Sequence, residues 1–322
     1  MKAVRVNEFG GPEVLHYEEA PTPTAGTDQV LVKVAGSGLN WAEQLQREGL
    51  HPGVTPPFTT GFEGSGIVEA LGPGVTTFKV GDRVLGRGRG CQAEYVAMDV
   101  AQAFQCPESI DLVHAGGIPA VFQTAYFMLK DRARMEKGET VLVHSGASGV
   151  GTAAIQLAKQ WGARVIATAS AEDKLKLSKS LGADLTINYV TQDFESEVNK
   201  ATDGRGADVI LDGVGGEVFE KSIGCLASYG RLVVYGTAGG VDGNANHRDL
   251  YTTNRTVIGF SISRTPPGYL DNMGSMAEIL SLMEEGAIRL LVDRIIPMSG
   301  IIEAHQHLAS RGSRGKTILV PD

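Results

Sequence analysis

The stretch from Thr140 to Trp161 restricts the fold more than any other part of this 322-residue chain. It begins with a short apolar run, Thr140 to His144. It continues as Ser145, Gly146, Ala147, Ser148, Gly149, Val150, Gly151 and then carries a helical pattern to Trp161. A strand that ends in a glycine-rich turn and opens a helix is the first step of a dinucleotide fold. Gly146 permits the tight turn, the small Ser148 and Gly149 let backbone approach a pyrophosphate, and Gly151 lets helix and strand pack closely. The N–H groups and dipole of a helix starting near Gly149 favour an anion. Ser148 departs from G-x-G-x-x-G, standing where the middle glycine belongs. A serine-hydrolase elbow also joins strand to helix, but its G-x-S-x-G pattern fails at Val150. An ordinary glycine-rich βα turn is the plainer alternative.

The region around this turn alternates strands and helices. Strand-like runs occur at Arg164 to Ala169, Leu185 to Asn188, Asp208 to Asp212 and Arg231 to Tyr235, with one more at Val257 to Ile262. Helical stretches separate them: a charged one through Leu181, then Phe194 to Ala201 and Glu217 to Leu226. This alternation predicts βαβ units and a parallel sheet. Residues 1 to about 122 read differently. Val30 to Val34, Gly66 to Ala70, Asp82 to Leu85 and Glu94 to Ala97 are short β runs broken by Gly, Pro and Thr, which predicts a compact, barrel-like β domain. After the second region come a Pro266-Pro267 turn, a helix from about Met273 to Glu285, and strand-like ends at Arg294 to Pro297 and Thr317 to Val320. The tail could return to the first domain. The 42 glycines are spread along the chain, as tight turns rather than a linker.

The nicotinamide type is read after the second strand. An NAD enzyme usually carries an acid there. Here the strand ends Ala167, Thr168, Ala169, Ser170, and the acids Glu172 and Asp173 come later, inside the next helix. Ser170 and Lys174 could bind a 2′-phosphate, the lysine as a point charge. Ser170 also reads as a helix N-cap with Asp173 three residues on, and Lys174 as a solvated helix lysine.

Composition excludes other classes. The net charge is −8, from 29 basic and 37 acidic residues, so a general nucleic-acid footprint is not expected. No run approaches the ~20 apolar residues of a membrane span, and the N-terminus has neither an apolar signal core nor a transit pattern. Cys91, Cys106 and Cys225 cannot form a disulfide framework. They fit a reducing, cytoplasmic setting, as buried small hydrophobes.

Beyond that turn, the chain resembles the medium-chain dehydrogenase/reductase superfamily, and in it the zinc-free, zeta-crystallin-like quinone oxidoreductase branch. The resemblance runs from Met1 to Val4 and Phe9 to Leu15 through Gly38-Leu39-Asn40-Trp41, Gly61-Phe62-Glu63-Gly64-Ser65-Gly66 and Gly81 to Val84. It continues at Ala147 to Gly151 and Ile187-Asn188-Tyr189, and ends at Gly315 to Pro321. It implies an α/β protein in which a β-rich GroES-like catalytic domain (1–122 and 264–322) is split by an inserted Rossmann domain (123–263). NADPH and substrate would lie in a cleft between them. Asn40 would sit near the nicotinamide, with Thr124 contacting the cofactor. Ser170, Lys174 and Tyr189 would hold the 2′-phosphate and adenosine ribose. Val214-Gly215, Tyr235-Gly236-Thr237 and Phe260-Ser261-Ile262 would touch the nicotinamide half, and Arg311 would reach the phosphates or stand as an exposed surface arginine. A homodimer is expected, with the run Thr256 to Ser263 ending the sheet at an apolar edge.

Zinc-dependent members of the superfamily hold their metal through Cys, His and Cys. Here Asn40 replaces the first Cys, Phe62 the His, and Ile118-Pro119-Ala120 has no Cys. No structural zinc lobe is present, and His305-x-His307 diverges if it lies on a helix. No metal is expected. Electron-poor acceptors, quinones or activated alkenes, are then the expected substrates of a small-molecule oxidoreductase. Alkene reductases commonly place a Tyr proton donor where this chain has His51, in Glu48-Gly49-Leu50-His51-Pro52; His51 is a second candidate catalytic residue or a loop histidine without a chemical role. A non-enzymatic NADPH-binding structural protein is the third reading.

Overall fold

The computed structural model describes all residues except Pro52, Gly53, Pro267, Gly268 and residues 270–273. The expected Pro266-Pro267 turn and the start of the helix at Met273 therefore lie partly outside the described residues. The chain forms two compact units, Met1–Val121 with Pro266–Asp322, and Phe122–Thr265.

The first unit is β-rich. Its strands from the N-terminal part are β1 (Lys2–Val6), β2 (Leu15–Glu19), β3 (Gln29–Gly38), β4 (Phe58–Thr59), β5 (Glu63–Leu71), β6 (Arg83–Arg87), β7 (Tyr95–Asp99) and β8 (Ala103–Gln105). The second unit contributes β9 (Thr140–Val143), β10 (Arg164–Ala169), β11 (Leu185–Asn188), β12 (Ala207–Asp212), β13 (Leu226–Val234) and β14 (Thr256–Gly259). The tail then adds β15 (Val292–Pro297) and β16 (Lys316–Val320). It does return to the first unit. β16 pairs antiparallel with β3, Ile318 opposite Gly38, within a sheet ordered β15-β16-β3-β5-β6-β8.

Alternation explains β3: Val30, Val32 and Val34 are buried while Lys33 between them is exposed. These valines meet Val68, Val84, Val96 and Leu319 in one apolar core. Each fully buried side chain of this kind contributes about 1.5–3 kcal/mol.

The second unit is a parallel six-stranded sheet ordered β11-β10-β9-β12-β13-β14. β9 is buried at all four positions, as a strand covered by helices on both faces must be. The strand order reverses between β9 and β12, which is the topological switch point where doubly wound folds bind ligands.

Some sequence boundaries shift. The helix expected over Glu217 to Leu226 runs Gly216–Gly224, and Leu226 already begins β13. The run expected as a strand to Ile262 stops at Gly259, and Ile262–Arg264 is a short helical turn. A helix at Pro119–Tyr126, extended by a wider π-type turn to Arg132, had no signal in the sequence. Its buried run has no polar face and so no period to read. No described helix is long and apolar enough to cross a membrane.

Candidate active site

The parallel registers bring the expected cofactor residues of the second unit to one edge. Val143 of β9 lies opposite Ala167 and Leu211, Ala169 opposite Asn188, and Asp212 opposite Val234. The turn 145–151, Ser170, Tyr189, Val214-Gly215, residues 235–237 and residues 260–262 all follow the carboxyl ends of these strands.

The glycine-rich turn is built for close approach. Ser145 takes a left-handed backbone, φ 53°. A Cβ on Gly151 would stand 2.2 Å from the Ser145 carbonyl oxygen, and one on Gly146 would stand 2.8 Å from Ser178 Oγ and 3.0 Å from Ala167 Cβ. Ser148, the departure from the glycine pattern, is the N-cap: its Oγ accepts the Gly151 N–H at 3.0 Å. The first N–H groups of the following helix, at Gly149 and Val150, have no intrahelical acceptor, and they face the end where an anion is favoured. A dinucleotide pyrophosphate fits this turn.

Two further features belong to the same edge. Asp212 Oδ1 accepts the N–H groups of Val214 (2.7 Å) and Gly215 (3.2 Å), which shapes that loop, while the buried Oδ2 has no partner. Burial pushes the Asp212 carboxyl pKa up, opposed by these two bonds. The Tyr235 ring packs where a side chain on Gly213 would go, 2.7 Å from that Cβ position. Thr124 is buried on its helix.

Ser170 is not an N-cap. The helix Glu172–Ser180 starts one residue later, and Ala171 is its N-cap, without a side-chain bond. That corrects the capping reading of Ser170. Tyr189 is exposed, and its N–H reaches the Ala169 carbonyl at 3.2 Å, so Tyr189 and Ser170 are neighbours at adjacent strand ends.

In the first unit, Asn40 precedes the helix Trp41–Arg47 and enters a buried polar network. Its Nδ2 donates to Glu63 Oε1 (3.0 Å) and to the Gly38 carbonyl (3.2 Å), and its Oδ1 accepts from Lys316 Nζ (2.5 Å). Lys316 Nζ is also 2.6 Å from Glu63 Oε1. Glu63 Oε2 accepts the Ala120 N–H at 2.7 Å. Glu43 accepts the backbone N–H groups of Asn40 and Phe62. Glu43, Glu63 and Lys316 are all buried. Sequence reasoning named Asn40 and missed the other three. Glu63 and Lys316 stood inside the quoted motifs, but nothing local showed that they meet.

Phe62 lines a cavity of about 330 Å³ with Gln46, Thr55, Thr59 and Arg89. The His51 ring packs against Phe62, centroids 5.8 Å apart; Pro52 lies outside the described residues. Arg311, at the end of the helix Ile301–Ala309, is exposed with φ 57°.

The donor set does not fit zinc. Asn40, Phe62 and Ala120 are no metal ligands, and among the described residues no three His, Cys, Asp or Glu side chains gather. His305 and His307 share a helix; His305 is buried and His307 Nε2 pairs with Asp293 at 2.7 Å. Cys91, Cys106 and Cys225 are free and buried. Burial first, then the nearby Glu63 carboxylate, pushes the Cys91 thiol up.

Residues 26–108 match the family described as alcohol dehydrogenase GroES-like domain, and residues 149–279 the family described as zinc-binding dehydrogenase. The chain is similar to a quinone oxidoreductase of Pseudomonas aeruginosa, 34% identical over 99% of both chains. It is 31% identical to a 2-haloacrylate reductase of a Burkholderia species, over 99% of this chain and 98% of that one. Among solved structures, Escherichia coli quinone oxidoreductase complexed with NADPH superposes with a TM-score of 0.93 at 28% identity, over 100% of both chains.

Proposed function

This chain belongs to the medium-chain dehydrogenase/reductase superfamily, in its zinc-free quinone oxidoreductase branch, and we propose that it is an NADPH:quinone oxidoreductase. The observation that carries the reading is the polar network of Asn40, Glu63 and Lys316, whose Asn40 stands at the position that the resemblance gives to the first Cys ligand of zinc-dependent relatives. Without a Lewis acid to polarise an alcohol, the acceptor must take hydride readily by itself, as a quinone does.

NADPH, when bound, supplies the hydride. The turn from Gly146 to Gly151 holds the pyrophosphate on its N–H groups. Ser170, Lys174 and Tyr189 take the 2′-phosphate and ribose, because no acid stands at position 170 to demand a free hydroxyl. Val214-Gly215, Tyr235-Gly236-Thr237, Phe260-Ser261-Ile262 and Thr124 line the nicotinamide half, and Arg311 serves the phosphates. The cavity beside Phe62 takes the acceptor. Its protein groups position and desolvate, and the hydroquinone anion can take its proton from water.

A second reading, reduction of an activated alkene, is favoured by one observation: the His51 ring packs on Phe62, which lines the cavity, and a histidine can donate the proton an enolate needs. The 2-haloacrylate reductase relative supports it.

NADPH oxidation against a panel of quinones and enones, with a chelator present, tests the proposal. Turnover of quinones unaffected by chelation supports it. Turnover of enones alone, abolished in His51→Ala, favours the second reading. NADPH protection against unfolding with no acceptor reduced makes the protein a non-enzymatic NADPH binder.

A further inference from the structure

We propose that Glu63 and Lys316 are positioning residues for the reaction, fixing the Asn40 amide and the start of the helix that carries Thr124. The inference rests on the oxidoreductase reading and adds residues to it.

Glu63 is the meeting point of three segments far apart in the chain. Its Oε1 takes Lys316 Nζ from β16 at 2.6 Å and Asn40 Nδ2 from the loop after β3 at 3.0 Å. Its Oε2 takes the Ala120 N–H at 2.7 Å, one of the unpaired donors in the first turn of the helix Pro119–Tyr126. Thr124 lies four residues further along that helix. Glu63 thus joins Asn40, which replaces the first Cys of the expected zinc set, to the 118–120 stretch that has no Cys.

The network sets the orientation of Asn40. Turning the amide over would face its NH2 toward the Lys316 ammonium and its carbonyl toward the Glu63 carboxylate, two repulsions in place of two attractions. In the observed orientation both amide hydrogens are engaged, by Glu63 and by the Gly38 carbonyl. Asn40 therefore offers a cofactor or acceptor only the remaining lone pair of Oδ1. It accepts a hydrogen bond and does not donate one to a developing oxyanion.

The packing leaves room for nothing else. A Cβ on Gly38 would stand 2.4 Å from Glu63 Oε1 and 2.5 Å from Lys316 Cε, and one on Gly117 would stand 2.9 Å from Lys316 Cγ. A buried ion pair is a costly way to fill a core, since well-packed apolar groups of similar volume often serve stability as well or better. Its use here follows from holding a polar side chain in one orientation.

The test uses the full chain in Glu63→Gln, Lys316→Met, the double variant and Lys316→Arg. Glu63→Gln is expected to lower kcat about 10- to 100-fold, the scale of a small misplacement of reacting groups. The NADPH dissociation constant, followed by fluorescence, should stay nearly unchanged. Lys316→Met should do the same, the double variant should be no slower than either single one because both act through one network, and Lys316→Arg should recover part of the rate. The Asn40 side-chain amide protons, followed by NMR, should exchange slowly in the native protein and fast in Glu63→Gln and Lys316→Met. A folded Glu63→Gln protein with native kcat and native amide exchange overturns the proposal. If Glu63→Gln does not fold, Lys316→Met and Lys316→Arg decide by the same two readouts. If the native protein reduces no acceptor, the oxidoreductase reading fails, and with it a role in the rate; slow amide exchange would then support only the fixed orientation of Asn40.

Discussion

The Glu43 carboxyl group accepts the Phe62 N–H at 3.1 Å, and by that bond ties the helix after Asn40 to the wall of the cavity beside Phe62. Its other oxygen takes the Asn40 N–H. One buried acid therefore joins the backbone at Asn40 to the backbone at Phe62.

That arrangement gives a pH dependence. Burial pushes the Glu43 pKa up from 4.5 to about 8, against the Lys316 charge and the Asn40 N–H bond, which lower it. Between these values the native chain holds a proton that the unfolded chain has released. Stability then falls as pH rises, and levels off above the folded pKa. Glu43→Gln lacks this proton. From about pH 5 to 8 the native protein should lose stability relative to Glu43→Gln in urea titrations. Parallel pH profiles for the two proteins would show that Glu43 is ionised throughout.

The glycine-rich turn separates a backbone requirement from a cap. Gly151→Ala puts a Cβ 2.2 Å from the Ser145 carbonyl oxygen, a backbone atom that cannot swing aside. The turn must open, and NADPH affinity should drop more than about 10-fold, the scale of losing one charge-assisted contact. Ser148→Ala removes only the bond to the Gly151 N–H. It should cost about 1 kcal/mol of stability and weaken NADPH binding far less. Fluorescence titration with thermal unfolding checks both, and equal losses of affinity would contradict the assignment.

Cofactor preference is tested at Lys174. Lys174→Ala should raise the dissociation constant for NADPH and leave that for NADH nearly unchanged, since only the former carries the 2′-phosphate. Comparable losses for both cofactors would remove Lys174 from the phosphate site.

Much of this was legible in the sequence for a physical reason. Strands such as β9 and β10 are short apolar runs bounded by glycine and helix, and parallel strands buried on both faces must look that way. Asn40, Phe62 and Gly146 to Gly151 each stand in a local motif, so the sequence could single them out as candidates. The network around Glu63 was not. A carboxylate inside a strand motif and a lysine near the C-terminus carry no sign that they will be buried together, because β16 reaches β3 only through tertiary pairing. Ser170 was misread as a cap because serine before an acid-rich helix is a common cap, and the helix starts one residue later. The helix Pro119–Tyr126 was missed for the opposite reason: every residue is buried, so no pattern distinguishes its faces.

β14 pairs with β13 on one side and ends the sheet order, so its other side is an edge among the described residues. Val257 and Ile258 in it are only partly buried. A parallel sheet edge with unpaired N–H and carbonyl groups and apolar side chains is a template for another strand, and soluble proteins pair, cover or charge such edges. This strand carries no lysine and no proline. A second copy of the same chain can pair with it across a two-fold axis, which closes the assembly without leaving a new edge. The native protein should therefore sediment as a dimer, at about twice the 34.0 kDa chain mass, at micromolar concentration. Ile258→Lys, a charge on the edge, should shift it toward the monomer. A native protein that is monomeric at micromolar concentration would refute the pairing, and a dimer undisturbed by Ile258→Lys would move the interface elsewhere.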